Sequence, residues 1–257
     1  MPPNAPRSLK YEYELYVENE IENYKESIPR SAILKIGDEA AAQMRDQDQL
    51  VLDEMMLWGE VDRIIRKRLR LPAYDTWRRK RLKLLAEYRR PEHWGIRPDG
   101  ILAREIHPPA ESNVLVAGGE VERAALYLAA HGCTVSAVDS VASPLERVMN
   151  AAHAAGLTDR IQGCGADLSQ WDPARSLAAV ICTPEAFAGL SGEERMRAFE
   201  VLQGATREGG VHLVGTIVSG KRGVSVAELR RQYKGWTISV EDETEKSKNF
   251  LARKTAS

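Results

Sequence analysis

Residues 114–132 read VLVAGGEVERAALYLAAHG. An apolar, strand-like run enters the pair Gly118-Gly119, and a stretch with helical spacing of apolar residues leaves it. This is the shape of a nucleotide-binding turn. Glycine is used in such turns because the backbone must approach a ligand closely and can need a positive φ. Strand-like and helical segments then alternate to the end of the chain. Strands are expected at 114–117, 134–139, 160–164, 177–182 and 211–217, with helices at 121–130, 143–155, 192–206 and 224–233. That alternation implies a mostly parallel sheet with crossover helices. Residues 236–240 and 249–253 flank the polar stretch EDETEKSK, the pattern of a terminal antiparallel hairpin at the sheet edge.

The first ninety residues have a different period. Tyr13, Val17, Ile21 and Tyr24 recur at helical spacing, as do Val51, Met55, Trp58, Val61 and Ile65. Three or four helices are expected, punctuated by Pro29 and Pro72. Residues 91–112, PEHWGIRPDGILAREIHPPAES, hold four prolines and two glycines and read as a linker with one short helix at 101–106. The expected organisation is an all-helical arm over 1–90, a linker over 91–112 and an α/β domain over 113–257.

The chain has 257 residues, 43% of them hydrophobic and 28% charged, ordinary for a globular protein. It shows no apolar run of spanning length and no signal layout at its start, so a cytoplasmic location is expected, with peripheral membrane contact left open. Cys133, Cys164 and Cys182 are odd in number and lack metal spacing, which suggests reduced thiols. The histidines at 93, 107, 131, 153 and 212 are scattered, and no metal site is expected. Net charge is −1, but the charge is segregated. Residues 1–60 hold 6 Lys/Arg and 13 Asp/Glu, whereas residues 61–90 hold 12 and 3. The basic stretch reads as a solvated helical face partly neutralised by the acidic one, or as a docking surface for a protein assembly or an anionic membrane. Arg66, Arg70, Trp77, Arg78, Arg79 and Arg81 are its candidate contact residues. Nucleic acid ranks lower as a partner, because no recognition motif is present.

The segment VLVAGGEVERAALYLAAHGCTVSAVD resembles the first motif of class I S-adenosylmethionine-dependent methyltransferases, in particular the small-molecule enzymes of the tellurite-resistance type. The resemblance continues in order through AVDSVASPLERV, DRIQGCGADLSQWD and EERMRAFEVLQGATREGGVHLVGT, and covers a little over half of the chain. It implies a class I methyltransferase-like (Rossmann-like) α/β fold and S-adenosylmethionine as the cofactor. Carried over by residue, it assigns Gly118 and Gly119 to the cofactor turn, Asp139 to the ribose hydroxyls and Asp167 to the adenine amino group. Trp171 would pack on the same base.

The first motif departs from the family pattern. Val116 stands where the family has an acidic residue, and Glu120 and Glu122 stand at two glycine positions. Those glutamates would fill space reserved for the methionine moiety and oppose its carboxylate. The stretch CTPEAF, 182–187, also lacks the Asn/Asp-Pro-Pro-aromatic pattern that some of these enzymes use to hold a substrate amine. Two readings follow. One is a non-catalytic scaffold subunit with a decayed cofactor turn that docks through its helical arm. The other is an active methyltransferase on a small molecule, with the arm as a lid.

Overall fold

The computed structural model describes residues 8–45, 54–119, 121–217, 223–244 and 247–255. Val51 and Glu120 lie outside the described residues. The chain divides into two compact units, Met1–Leu84 and Leu85–Ser257.

The first unit is helical: α1 (Leu9–Ser27), α2 (Arg30–Arg45), α3 (Glu54–Arg68) and the first part of α4 (Tyr74–Tyr88). Ser8 starts α1 by accepting a hydrogen bond from the Tyr11 amide, satisfying a donor that helix geometry leaves free. Ile21, Ile36, Ala40, Val61, Ile64 and Ile65 form its buried core. A second contact joins α1 to α4, where Trp77 lies 5.4 Å from Tyr13 and stacks on Tyr16 and Tyr74.

The second unit is a seven-stranded sheet in the order β3-β2-β1-β4-β5-β7-β6. Its strands are β1 (Asn113–Ala117), β2 (Thr134–Asp139), β3 (Ile161–Gly165), β4 (Leu177–Cys182), β5 (Thr206–Ile217), β6 (Thr237–Thr244) and β7 (Ser247–Arg253). The first five pair in parallel, and β7 runs antiparallel between β5 and β6. The helices are α5 (Ile101–Glu105), α6 (Glu122–Ala130), α7 (Ala142–Ala155), α8 (Gly192–Ala205) and α9 (Val226–Gln232). Alternate residues of β1 enter opposite cores: Val114 and Val116 join α6 and α7, while Leu115 and Ala117 join α8 and α9. This alternation is the two-residue period of a strand buried on both faces.

The mostly parallel sheet with its terminal hairpin agrees with the expectation from sequence. Boundaries differ locally. β5 begins at Thr206, five residues before the expected start, because a bulge separates its first pairing from the rest. Residues 91–112 carry core side chains: Ile101 and Ile106 are buried with Val114 and Val135, and Trp94 Nε1 donates to the Tyr88 carbonyl at 2.7 Å. Proline and glycine punctuate this stretch without detaching it from the sheet domain.

Candidate functional site

The turn after β1 is built by backbone constraint. Gly118 has φ 106°, a conformation that L side chains rarely adopt. Its amide donates to the Val138 carbonyl, and the Thr183 amide donates to the Ala117 carbonyl. The chain leaving β4 thereby crosses directly over the turn. A β-carbon at Gly118 would stand 2.1 Å from Thr183 Oγ1 and 2.9 Å from the Ala186 amide nitrogen. Pro184 then opens a single 3-10 turn, Pro184–Phe187, as proline does with a preset φ and no amide to satisfy. Phe187 anchors it by stacking on Phe199 of α8.

The structure brings three sequence-predicted residues to one cleft. Gly118, Asp139 and Asp167 line it together with Ser140, Leu168, Glu185, Ala186 and Ala188. The cleft encloses only about 20 Å³, room on the order of one water molecule. Small-molecule sites span roughly 300–1,000 Å³. Asp139 ends β2 and accepts a hydrogen bond from the Val141 amide at 2.8 Å, so one carboxylate oxygen is used to shape the turn into α7. Asp167 is exposed. Thr183 Oγ1 is buried and has no hydrogen-bond partner.

The other assigned residues lie elsewhere. Gly119 and Glu122 line a neighbouring cavity of about 290 Å³ with Arg123, Pro144 and Arg147. Glu122 occupies the first turn of α6, where a carboxylate is favoured by the helix dipole, rather than the cleft of Asp139 and Asp167. Val116 is fully buried in the core that faces α6 and α7. Trp171 does not line the cleft and packs against the core on the other sheet face. Glu185, which the sequence offers as a general base or a solvated loop carboxylate, lines the cleft. The residues that sequence reasoning missed are Thr183 and Ala186. Their signal was Pro184 two residues after a buried strand, which marks a tight turn at the carboxyl end of the sheet.

Among the described residues no cysteine lines the cleft. Burial pushes the Cys182 thiol up to about 12 and the Cys133 thiol up to about 11, so both are inert. Among the described residues no three His, Cys, Asp or Glu side chains are grouped to hold a metal ion. His212 is buried, with Nδ1 2.6 Å from Tyr233 Oη and Nε2 2.7 Å from Thr206 Oγ1. Burial pushes its pKa down to about 3 and keeps the ring neutral.

In the helical unit, the candidate contact residues divide. Arg66 donates to the Tyr13 hydroxyl, Arg81 pairs with Glu12 at 3.1 Å, and Trp77 packs among tyrosines. These three hold α1 to its neighbours. Arg70, Arg78 and Arg79 are exposed, with Arg79 making only long contacts to Asp75 and Thr76 of its own helix. Further acidic groups of the arm meet basic ones, as in Glu39 with Arg68 and Asp62 with Lys25. No helix among the described residues is long and apolar enough to cross a membrane.

The strand order, the crossover helices and the glycine turn after β1 define the class I methyltransferase fold. No family model matches the sequence, and no curated protein does. Among solved structures, TehB from Haemophilus influenzae superposes with a TM-score of 0.50 at 20% identity, over 60% of this chain and 60% of that one. The chain thus spans less than two thirds of TehB. N-methyltransferase NodS from Bradyrhizobium japonicum WM9 gives 0.48 at 13% identity, over 70% of this chain and 96% of its own. The glycopeptide N-methyltransferase MtfA, solved with S-adenosyl-L-homocysteine, gives 0.47 at 13% identity over 57% and 84%. At these identities the likeness is one of fold.

Proposed function

We propose that this methyltransferase-fold chain acts as a non-catalytic binding subunit, docking through its helical arm on a larger protein assembly or an anionic surface. The observation that carries this reading is the small volume of the cleft. Thr183 and Ala186 lie where a β-carbon on Gly118 would stand, and the cleft lined by Asp139, Asp167 and Ala186 encloses about 20 Å³. A buried Val116 offers no carboxylate for a cofactor ammonium group. As arranged, these residues do not fit S-adenosylmethionine. The arm supports docking because Arg70, Arg78 and Arg79 are exposed cations that its internal packing does not consume. The test compares the full chain with its Arg70→Gln/Arg78→Gln/Arg79→Gln variant, by affinity capture from cell extract and by sedimentation with anionic vesicles. The reading expects one of the two associations and its loss in the variant. Equal association of both proteins would refute docking through these residues.

A second reading, an active methyltransferase on a small molecule, is favoured by one observation. Gly118, Asp139 and Asp167 converge on one cleft as the family pattern requires. The unpartnered Thr183 hydroxyl would be relieved if Pro184–Phe187 moved away. Under this reading Asp139→Ala weakens cofactor binding. Under the first there is no binding to weaken.

A further inference from the structure

The sequence TREGGV, 206–211, breaks the regularity of β5. Leu177 of β4 pairs with Thr206, and Ala179 pairs with Val211. Ala178 alone therefore faces the four residues 207–210, which bulge out of the ladder. Both glycines are required. Gly209 has φ 70°, and a β-carbon on Gly210 would stand 2.5 Å from Thr206 Cγ2 and 2.8 Å from the Arg207 carbonyl oxygen. The bulge is pinned by the Gly209 amide donating to the Lys254 carbonyl at 3.0 Å. The Lys254 amide returns a bond to the Gly210 carbonyl at 2.9 Å. The bulge carries two charged side chains, Arg207 and Glu208, both exposed.

Arg207 lines two cavities at the amino-terminal ends of β4 and β5, the opposite end of the sheet from the Gly118 turn. The larger also holds Lys254, but the Lys254 ammonium is committed to the Gln203 and Thr206 carbonyls at the end of α8. A helix carboxyl end disfavours anions. The other cavity, about 340 Å³, is lined by Arg104, Arg207, Arg253 and His107, with Glu105 as its one carboxylate. Glu105 is shared between Arg104 at 3.2 Å and Arg253 at 4.0 Å. Arg207 has no ion-pair partner among the described residues. Arg104 is committed to Glu105, to the Asp99 carbonyl and to Glu241 of β6, whereas Arg207 is unpaired among these residues and Arg253 meets Glu105 only at 4.0 Å, so these two leave positive charge unneutralised in a cavity of ligand size.

We infer that this cavity binds the phosphate group of a small molecule. Arg207 would anchor it, with Arg253 beside it. Forked guanidinium donors suit the several oxygens of a phosphate dianion, which can accept from more than one arginine at once. The site is independent of the cofactor question, because none of its residues belongs to the Gly118 cleft.

The test titrates the full chain calorimetrically at low salt with inorganic phosphate and with glycerol 3-phosphate. Saturable binding of either is expected, and the tighter of the two tells the free ion from an ester. Arg207→Gln, an exposed change that leaves the glycines in place, is expected to weaken binding about tenfold, as loss of one charge-assisted contact does. Arg231→Gln, an exposed change on α9 that touches neither cavity, is expected to leave it unchanged. Absence of saturable binding, wild-type affinity in the Arg207 variant, or an equal loss in the Arg231 variant would overturn the proposal.

Discussion

Thr183 Oγ1 occupies the space that a β-carbon on Gly118 would need, with 2.1 Å between the two positions. The glycine turn of this fold is therefore held against the chain leaving β4, and its conformation is set by packing as well as by φ. Gly118→Ala should destabilise the protein by about 2–4 kcal/mol, combining a left-handed backbone with a steric clash. Denaturant unfolding measures it. A change within about 0.5 kcal/mol would show that the 3-10 turn yields freely.

The buried His212 predicts an acid dependence of stability. Its folded pKa of about 3 lies below the unfolded value. The unfolded chain therefore binds the proton first as pH falls. Its contribution is fully present above about pH 6.5 and is lost progressively towards pH 3. His212→Gln should lower stability at neutral pH, because Thr206 and Tyr233 lose geometry. It should also flatten the melting temperature's pH slope between about pH 6 and 4. An unaltered slope would contradict the assignment.

In the arm, structural and exposed residues of one helix should separate in experiment. Trp77→Ala removes an aromatic packed on Tyr13, Tyr16 and Tyr74 and should cost about 2–4 kcal/mol. Arg78→Gln/Arg79→Gln should shift stability by less than about 0.5 kcal/mol while weakening any association with an anionic partner. Thermal unfolding of the full chain checks the first pair of values. A large melting shift in the double-arginine variant would place those residues in the packing.

The cysteines should react unequally with an aromatic disulfide reagent. Cys133 and Cys182 are buried with strongly raised thiol pKa values, whereas Cys164 is half-buried. One thiol should react under native conditions and three after unfolding. Rapid modification of all three in the native protein would refute the burial.

Much of the sheet was legible because strand periodicity and buried runs carry it. The β4 boundaries, Leu177–Cys182, follow from six consecutive apolar residues. The start of β5 was not legible, since Thr206 pairs across a bulge whose residues look like a turn. Gly118, Asp139 and Asp167 were found as a cleft because the ordered motifs fix their strand ends. The closing of that cleft was not, because it depends on Thr183 and Ala186 meeting Gly118 across the sheet. No periodicity records a contact so distant in sequence. The start of α6 places Glu122 in the cavity of Arg123 and Arg147, a neighbourhood that depends on the direction of the helix. The internal pairing of the arm's charges, as in Arg81 with Glu12, likewise depends on how α1 and α4 meet.

We propose that the turn keeps the shape of a cofactor site without its function. Calorimetric titration of the full chain with S-adenosylmethionine and S-adenosylhomocysteine tests it most directly, alongside a thermal shift. The account predicts no saturable heat and no stabilisation at about 1 mM ligand. Saturable binding at roughly micromolar concentration, weakened by Asp139→Ala, would contradict it and establish the cleft as a working cofactor site.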